Sequence, residues 1–82
     1  MFDAKDIETR LTRRFGLGSK PVLRQALYQR LGLLCEQKGE SAYVLIRVVA
    51  DEALGKRKPA QYFAWVVIRR LMERGIIDVP EL

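Results

Sequence analysis

The sequence predicts an all-α fold, a compact four-helix domain followed by a short extended tail at the C-terminus. Three observations lead to this prediction. Glycines and prolines divide the 82 residues into four segments, each segment places apolar residues at the three- and four-residue spacing of a helix face, and no segment has the composition of a long linker. Because a chain of this length is typical of one domain, we expect residues 1–82 to fold as a single unit.

The first helix is predicted over about residues 3–15. Asp3 is a suitable N-cap residue, and Phe2 and Ile7 are placed to form a hydrophobic staple around it. Gly16 and Gly18 follow the helix and predict a turn with positive φ angles. The apolar positions at helical spacing are Ala4, Ile7, Leu11 and Phe15.

The second helix is predicted over about residues 20–38. Ser19 followed by Pro21 is a helix-start signal, and Gly39 is the stop signal. Gly32 falls inside the helix, where glycine costs roughly 1 kcal/mol relative to alanine, so we expect another helix to approach closely there. The predicted apolar stripe consists of Leu23, Ala26, Leu27, Leu31 and Leu34.

The third segment lies between a predicted cap at Ser41 and a stop at Gly55. Residues 43–49 are rich in β-branched side chains, which leaves a short strand as the alternative. The thirteen residues between cap and stop favour a helix. Val44 and Val48 border its polar side, so we expect this helix to be the most buried one. Its predicted core face consists of Ala42, Leu45, Ile46, Val49 and Ala53.

The fourth helix is predicted to begin at Pro59 and to end at Gly75. Ile76 is then placed to fold back in a hydrophobic contact with the end of the helix, and residues 77–80 form the short extended tail. The predicted core face consists of Ala60, Ala64, Val67, Ile68, Leu71 and Met72. Its outer face carries Tyr62, Phe63 and Val66 among arginines.

Basic residues are segregated along the chain. The net charge is +5, and eleven of the fifteen Lys and Arg residues lie in two blocks without any acidic residue, 9–35 and 53–72. If these blocks meet, they form a positive face for an anionic partner, of which nucleic acid is the commonest. The alternative is that they only solvate helix surfaces. The predicted nucleic-acid contacts are Arg13, Arg14, Lys20, Lys56, Arg57, Lys58, Arg69 and Arg70.

The third and fourth helices are predicted to form a helix-turn-helix-like unit. A basic turn of Lys56, Arg57 and Lys58 precedes the fourth helix, where such proteins contact the sugar–phosphate backbone. Residues 68–77 also resemble the end of the recognition helix in winged-helix regulators, in which a helix closes in Glu-Arg/Lys-Gly before an apolar strand. The resemblance implies DNA binding. The sequence departs from that pattern on the outer half of the helix, which is aromatic where a groove-reading helix is polar.

The outer face of the fourth helix has two further interpretations. Tyr62, Phe63 and Val66 are suited to a protein interface, because aromatic residues and Arg are enriched there. A domain this small also gains core by dimerising, so the alternative function is a protein-interaction or homodimerisation module. The remaining possibility is that another part of the chain covers these side chains and makes this a central helix.

Other functions are disfavoured by composition. With no His and one Cys, the chain lacks the residues of a usual zinc or copper site, and Cys35 has no His to activate it as a nucleophile. Residues 16–20 depart from the phosphate-binding P-loop in order and spacing. We therefore expect no enzyme, cofactor or small-molecule substrate. The longest apolar run has seven residues, and the N-terminus is unlike a signal peptide, so we expect a cytoplasmic protein without a membrane partner.

Overall fold

Residues 1–78, the part of the chain that the computed structural model describes, contain four helices and no strand. These are α1 (Ala4–Phe15), α2 (Pro21–Lys38), α3 (Glu40–Ala53) and α4 (Pro59–Glu73). The all-α prediction is confirmed, and the strand alternative for residues 43–49 is wrong. Val79 and Pro80, half of the predicted extended tail, lie outside the described residues. None of the helices within residues 1–78 is long and apolar enough to cross a membrane.

Both ends of α1 lie where the predicted N-cap residue and the predicted stop glycine place them. The Asp3 carboxylate accepts a hydrogen bond from the Lys5 backbone N–H at 3.0 Å. Gly16, with φ 72°, ends the helix and donates its N–H to the Thr12 carbonyl at 2.8 Å. The ring of Phe2 stacks on Tyr43 of α3, with centroids 4.7 Å apart, so the residue before the cap fastens α1 to another helix.

The starts of α2 and α3 differ from the prediction. Lys20, not Ser19, is the N-cap residue of α2 and makes no side-chain cap bond. Gly39, with φ 71°, ends α2 and also serves as the N-cap of α3. Because the chain turns through this single glycine, α3 begins earlier than its predicted cap, and the Ser41 hydroxyl lies inside the helix and donates to the Lys38 carbonyl at 3.2 Å.

The buried face of α2 is only partly the predicted stripe. Leu31 and Leu34 are buried, but Leu23 and Ala26 are exposed. Tyr28 and Cys35 are fully buried instead. Apolar residues surround this helix on all sides, so their spacing does not determine which face packs inward.

Gly32 is the position where α1 crosses α2 at close range. A Cβ atom at Gly32 would lie 3.0 Å from the carbonyl carbon of Ala4 and 3.1 Å from its Cα, and still closer to the Ala4 carbonyl oxygen. The same N-terminal turn of α1 is held by Glu36, whose carboxylate accepts the Ala4 N–H at 2.7 Å. The predicted close approach of another helix is confirmed.

Helix α3 has the predicted core face, whose members are all buried: Ala42, Leu45, Ile46, Val49 and Ala53. The prediction that α3 is the most buried helix is confirmed, because six of its residues are buried, more than in α1, α2 or α4. Val44 and Val48, from which the prediction was argued, are nevertheless nearly half exposed. At the end of α4, Gly75 has φ 71°, and the Ile76 N–H donates to the Leu71 carbonyl at 2.9 Å. Ile76 then packs half-buried against the core, as predicted for this type of helix end.

Candidate nucleic-acid interface

Helix α4 separates an inward aromatic residue from an outward one. The ring of Phe63 is fully buried and stacks on Phe15 of α1, with centroids 4.6 Å apart. The prediction that Phe63 belongs to an outer interaction face is therefore wrong. Tyr62 and Val66, the other two members of that face, are half-buried. Trp65 instead points outward and is 74% exposed.

A shallow groove lies where the basic turn meets α4, and we call it the α4 groove. It has a volume of about 330 Å³. It is lined by Lys56, Arg57, Lys58, Gln61, Tyr62, Trp65 and Val66. No carboxylate is among these residues, so the groove combines three cations with an exposed indole.

The three cations of the turn project from a short, well-connected loop. The N–H of Gly55 donates to the Glu52 carbonyl at 3.3 Å, and that of Lys56 donates to the Ala53 carbonyl at 3.0 Å. Lys58 is the N-cap residue of α4, which begins at Pro59. The side chains of residues 56–58 are exposed, and within the described chain none of them lies within ion-pair distance of a carboxylate. Arg57 and Lys58 thus project into solvent without a salt bridge in the described chain, and Lys56 acts on Glu52 only at longer range, helping to lower the pKa of that carboxylate.

Glu52, at the end of α3, fixes the inner wall of the groove. Its carboxylate accepts two hydrogen bonds from the Arg70 guanidinium, both 3.1 Å long, and one from the Tyr62 hydroxyl at 3.3 Å. The Arg70 hydrogen bonds hold the pKa of Glu52 below its ordinary value and raise the pKa of Arg70. The Lys56 ammonium lies 4.9 Å from the centre of the Tyr62 ring. The polar groups of Arg70 and Tyr62 are thus engaged in hydrogen bonds to Glu52 within the protein.

The remaining predicted contacts are spread over other surfaces. Arg14 pairs with Asp51 of α3 at 2.7 Å, and Arg13 lines a different groove between α1 and α2. The two basic blocks do touch, because the Arg24 guanidinium donates to the Ala60 carbonyl at 2.6 Å. They do not bring all predicted cations to one face.

Trp65 is the site residue that the sequence analysis missed. At 100° per residue, Trp65 lies about 200° around the helix from the buried Val67, whereas Phe63 lies about 40° from it. Trp65 also lies four residues from Gln61 and from Arg69, which places the three on one face of the helix. All three are exposed. Helix angles measured from Val67 place Phe63 on the buried face and Trp65 on the outer face.

The single cysteine lies away from this site. Cys35 is fully buried in the core, and burial raises the pKa of its thiol to about 11. A thiol with such a pKa carries almost no thiolate at neutral pH and is a poor nucleophile or metal ligand. Within residues 1–78 no group of three or more Cys, Asp or Glu side chains is placed to hold a metal ion.

Comparison of the chain with protein families, curated proteins and solved structures finds no match.

Proposed function

We propose that this protein binds nucleic acid through the α4 groove, with Lys56, Arg57 and Lys58 on the phosphates. The observation that carries the proposal is that three exposed cations, in no salt bridge within residues 1–78, lie beside an exposed tryptophan in one groove whose described lining contains no carboxylate. Cationic side chains supply the sequence-independent part of nucleic-acid affinity. Aromatic side chains next to them supply contacts to bases.

The pairing of Arg14 and Arg70 favours this groove over the surfaces on which those two predicted contacts lie. Arg14 and Arg70 are neutralised by Asp51 and Glu52, so their charge is largely cancelled at short range. Helices α3 and α4 are joined by the five residues 54–58, which is close to the three- or four-residue turn of a helix-turn-helix. In a helix-turn-helix-like complex, α4 would be the helix that faces the nucleic acid.

The test compares two triple variants by fluorescence anisotropy with labelled oligonucleotides at low salt. We expect Lys56→Gln, Arg57→Gln and Lys58→Gln together to lower the affinity at least about tenfold, with little change in melting temperature because these side chains are exposed. The control changes Arg30, Arg47 and Arg74 to Gln. It removes the same charge from exposed positions outside the groove and is expected to keep most of the affinity. Wild-type affinity in the turn variant would contradict the proposal.

A second candidate function is self-association. The exposed apolar side chains that support it lie on α2, not on the predicted face of α4. Three large apolar side chains of this helix are exposed, Val22 by 79%, Leu23 by 67% and Leu33 by 52%. If α2 is an interface, light scattering gives a mass above 9.5 kDa, and Leu33→Glu lowers it. A monomeric mass at all concentrations would remove this candidate.

A further inference from the structure

We propose that the α4 groove takes single-stranded nucleic acid, with an unpaired base stacked on the indole of Trp65. The inference rests on the proposed function and specifies the form of the ligand. It is carried by three features of the groove: the exposure of the indole, the placement of the cations around it and the chemistry of the indole itself.

Within residues 1–78, Trp65 is the aromatic side chain that the fold leaves uncovered. Phe2 stacks on Tyr43, and Phe15 stacks on Phe63. The other two aromatic residues also have intramolecular partners: Tyr28 is fully buried, and Tyr62 lies under the Lys56 ammonium. Trp65 is 74% exposed, so one face of its indole is open to a flat ligand.

The indole of Trp65 suits base stacking better than the reading of base edges in a duplex, whereas Arg57 and Gln61 of the same groove can donate hydrogen bonds in either case. An indole has one N–H donor and no acceptor, whereas base-edge recognition in the major groove relies on paired donors and acceptors of Arg, Asn and Gln. A base can stack on the indole only when it is unstacked from its own neighbours, as in a single strand. Stacking is also tolerant of sequence, because every base has a π face.

The cations are placed to hold a strand that crosses Trp65. Lys56, Arg57 and Lys58 lie at one end of the groove, and Arg69 is exposed one turn of α4 beyond the indole. Gln61 and Arg69 are separated by about 12 Å along the helix axis, with Trp65 midway. A strand along this stripe meets positive charge on both sides of the stacked base. The described groove lining contains no carboxylate. It therefore favours an anionic strand over a protein surface that carries positive charges.

Trp65 is the one tryptophan of the chain, so its fluorescence reports on the groove directly. The experiment titrates the protein with oligo-dT and, separately, with a DNA hairpin duplex, following tryptophan emission and oligonucleotide anisotropy together. We expect oligo-dT to quench the emission with the same dissociation constant that anisotropy gives, and to bind more tightly than the duplex.

Variants separate stacking from the rest of the interface. We expect Trp65→Ala to weaken oligo-dT binding about 5- to 150-fold, the loss of one stacked base, and Trp65→Phe to keep most of the affinity. Val44→Ala shortens an exposed apolar side chain of α3, 47% exposed and outside the groove lining, and is the matched control with no expected loss.

Two results would overturn the inference and are distinguishable from failure of the proposed function. Duplex binding at least as tight as oligo-dT binding, without a change in emission and with wild-type affinity in Trp65→Ala, would keep a nucleic-acid function and remove the stacking site. No binding of either probe at low salt would remove both. A change of mass caused by Trp65→Ala in that second case would assign the indole to a protein contact.

Discussion

At the scale of single residues, Gly32 has the least freedom to change. A methyl group there would meet the backbone of Ala4 at 3.0–3.1 Å or closer, and a backbone cannot move aside as a side-chain end can. We predict that Gly32→Ala lowers the free energy of unfolding by about 1–3 kcal/mol, despite the higher helix propensity of alanine. Urea unfolding followed by circular dichroism measures it.

Gly55→Ala is the matched control for that substitution. A Cβ at Gly55 would meet only the Glu52 carbonyl oxygen at 3.8 Å, an ordinary contact. Its effect should stay within about 0.5 kcal/mol. Equal effects of the two substitutions would contradict the close crossing of α1 and α2.

Glu52 makes stability dependent on pH through its contacts with Arg70 and Tyr62. Because the Arg70 hydrogen bonds lower the folded-state pKa of Glu52, its stabilising contribution is present above the unfolded value of about 4.3 and is lost as the pH falls through the folded value. We predict that Glu52→Gln melts at a lower temperature than wild type near neutral pH. The gap should narrow as the pH falls below the ordinary titration range of Glu and through the lowered folded-state pKa of Glu52. A gap independent of pH would show that the ionised carboxylate contributes nothing.

At the scale of elements, two aromatic residues of α4, Phe63 and Trp65, test which face of the helix packs inward. Phe63 is fully buried and Trp65 is 74% exposed. We predict that Phe63→Ala lowers the free energy of unfolding by about 3–5 kcal/mol, whereas Trp65→Ala changes it little. Chemical denaturation of both variants measures the difference. The opposite order would restore the original prediction of an outward-facing Phe63.

The limits of the four helices were predictable because glycine and proline act locally. Gly16, Gly39 and Gly75 adopt positive φ angles, and Pro21 and Pro59 occupy first turns. The strand alternative for residues 43–49 was decided by length, not by β-branched content. The predicted cap at Ser41 failed because the preceding Gly39 already begins α3.

The packed faces were less predictable than the limits. On α3, apolar and polar residues alternate with one clear helical period, and the predicted face is buried. On α2, apolar residues lie all around, so the choice among faces depends on partners such as Gly16, whose carbonyl accepts the Tyr28 hydroxyl at 2.8 Å. That partner is twelve residues away and leaves no periodic trace in the sequence.

The candidate site was predictable in its charge and not in its aromatic part. The turn of Lys56, Arg57 and Lys58 stands out in the sequence because it lies in the acid-free block 53–72, and it is exposed as expected. Trp65 was missed because it lies inside the apolar run 62–68, where composition does not separate inward from outward positions and only the angle around the helix does. No pattern in the sequence indicates the salt bridge between Glu52 and Arg70.

At the scale of the whole molecule, two adjacent carboxylates on α3 distribute the positive charge. Asp51 and Glu52 are about 100° apart around the helix, so Asp51 pairs with Arg14 of α1 and Glu52 with Arg70 of α4. Each pair joins α3 to a neighbouring helix and neutralises one cation of a basic block. The turn of Lys56, Arg57 and Lys58 forms no such pair within residues 1–78, and this difference supports the α4 groove over the surfaces around Arg14 and Arg70.

The salt dependence of binding tests that account most directly. For single strands, the slope of log K against log salt concentration is about −0.7 for each phosphate neutralised. We predict that the variant with Gln at positions 56, 57 and 58 has a slope smaller in magnitude than wild type by about 2, the contribution of three phosphate contacts. Anisotropy titrations at several salt concentrations measure both slopes. A variant that keeps the wild-type slope would contradict the account, because the three cations would then make no phosphate contact.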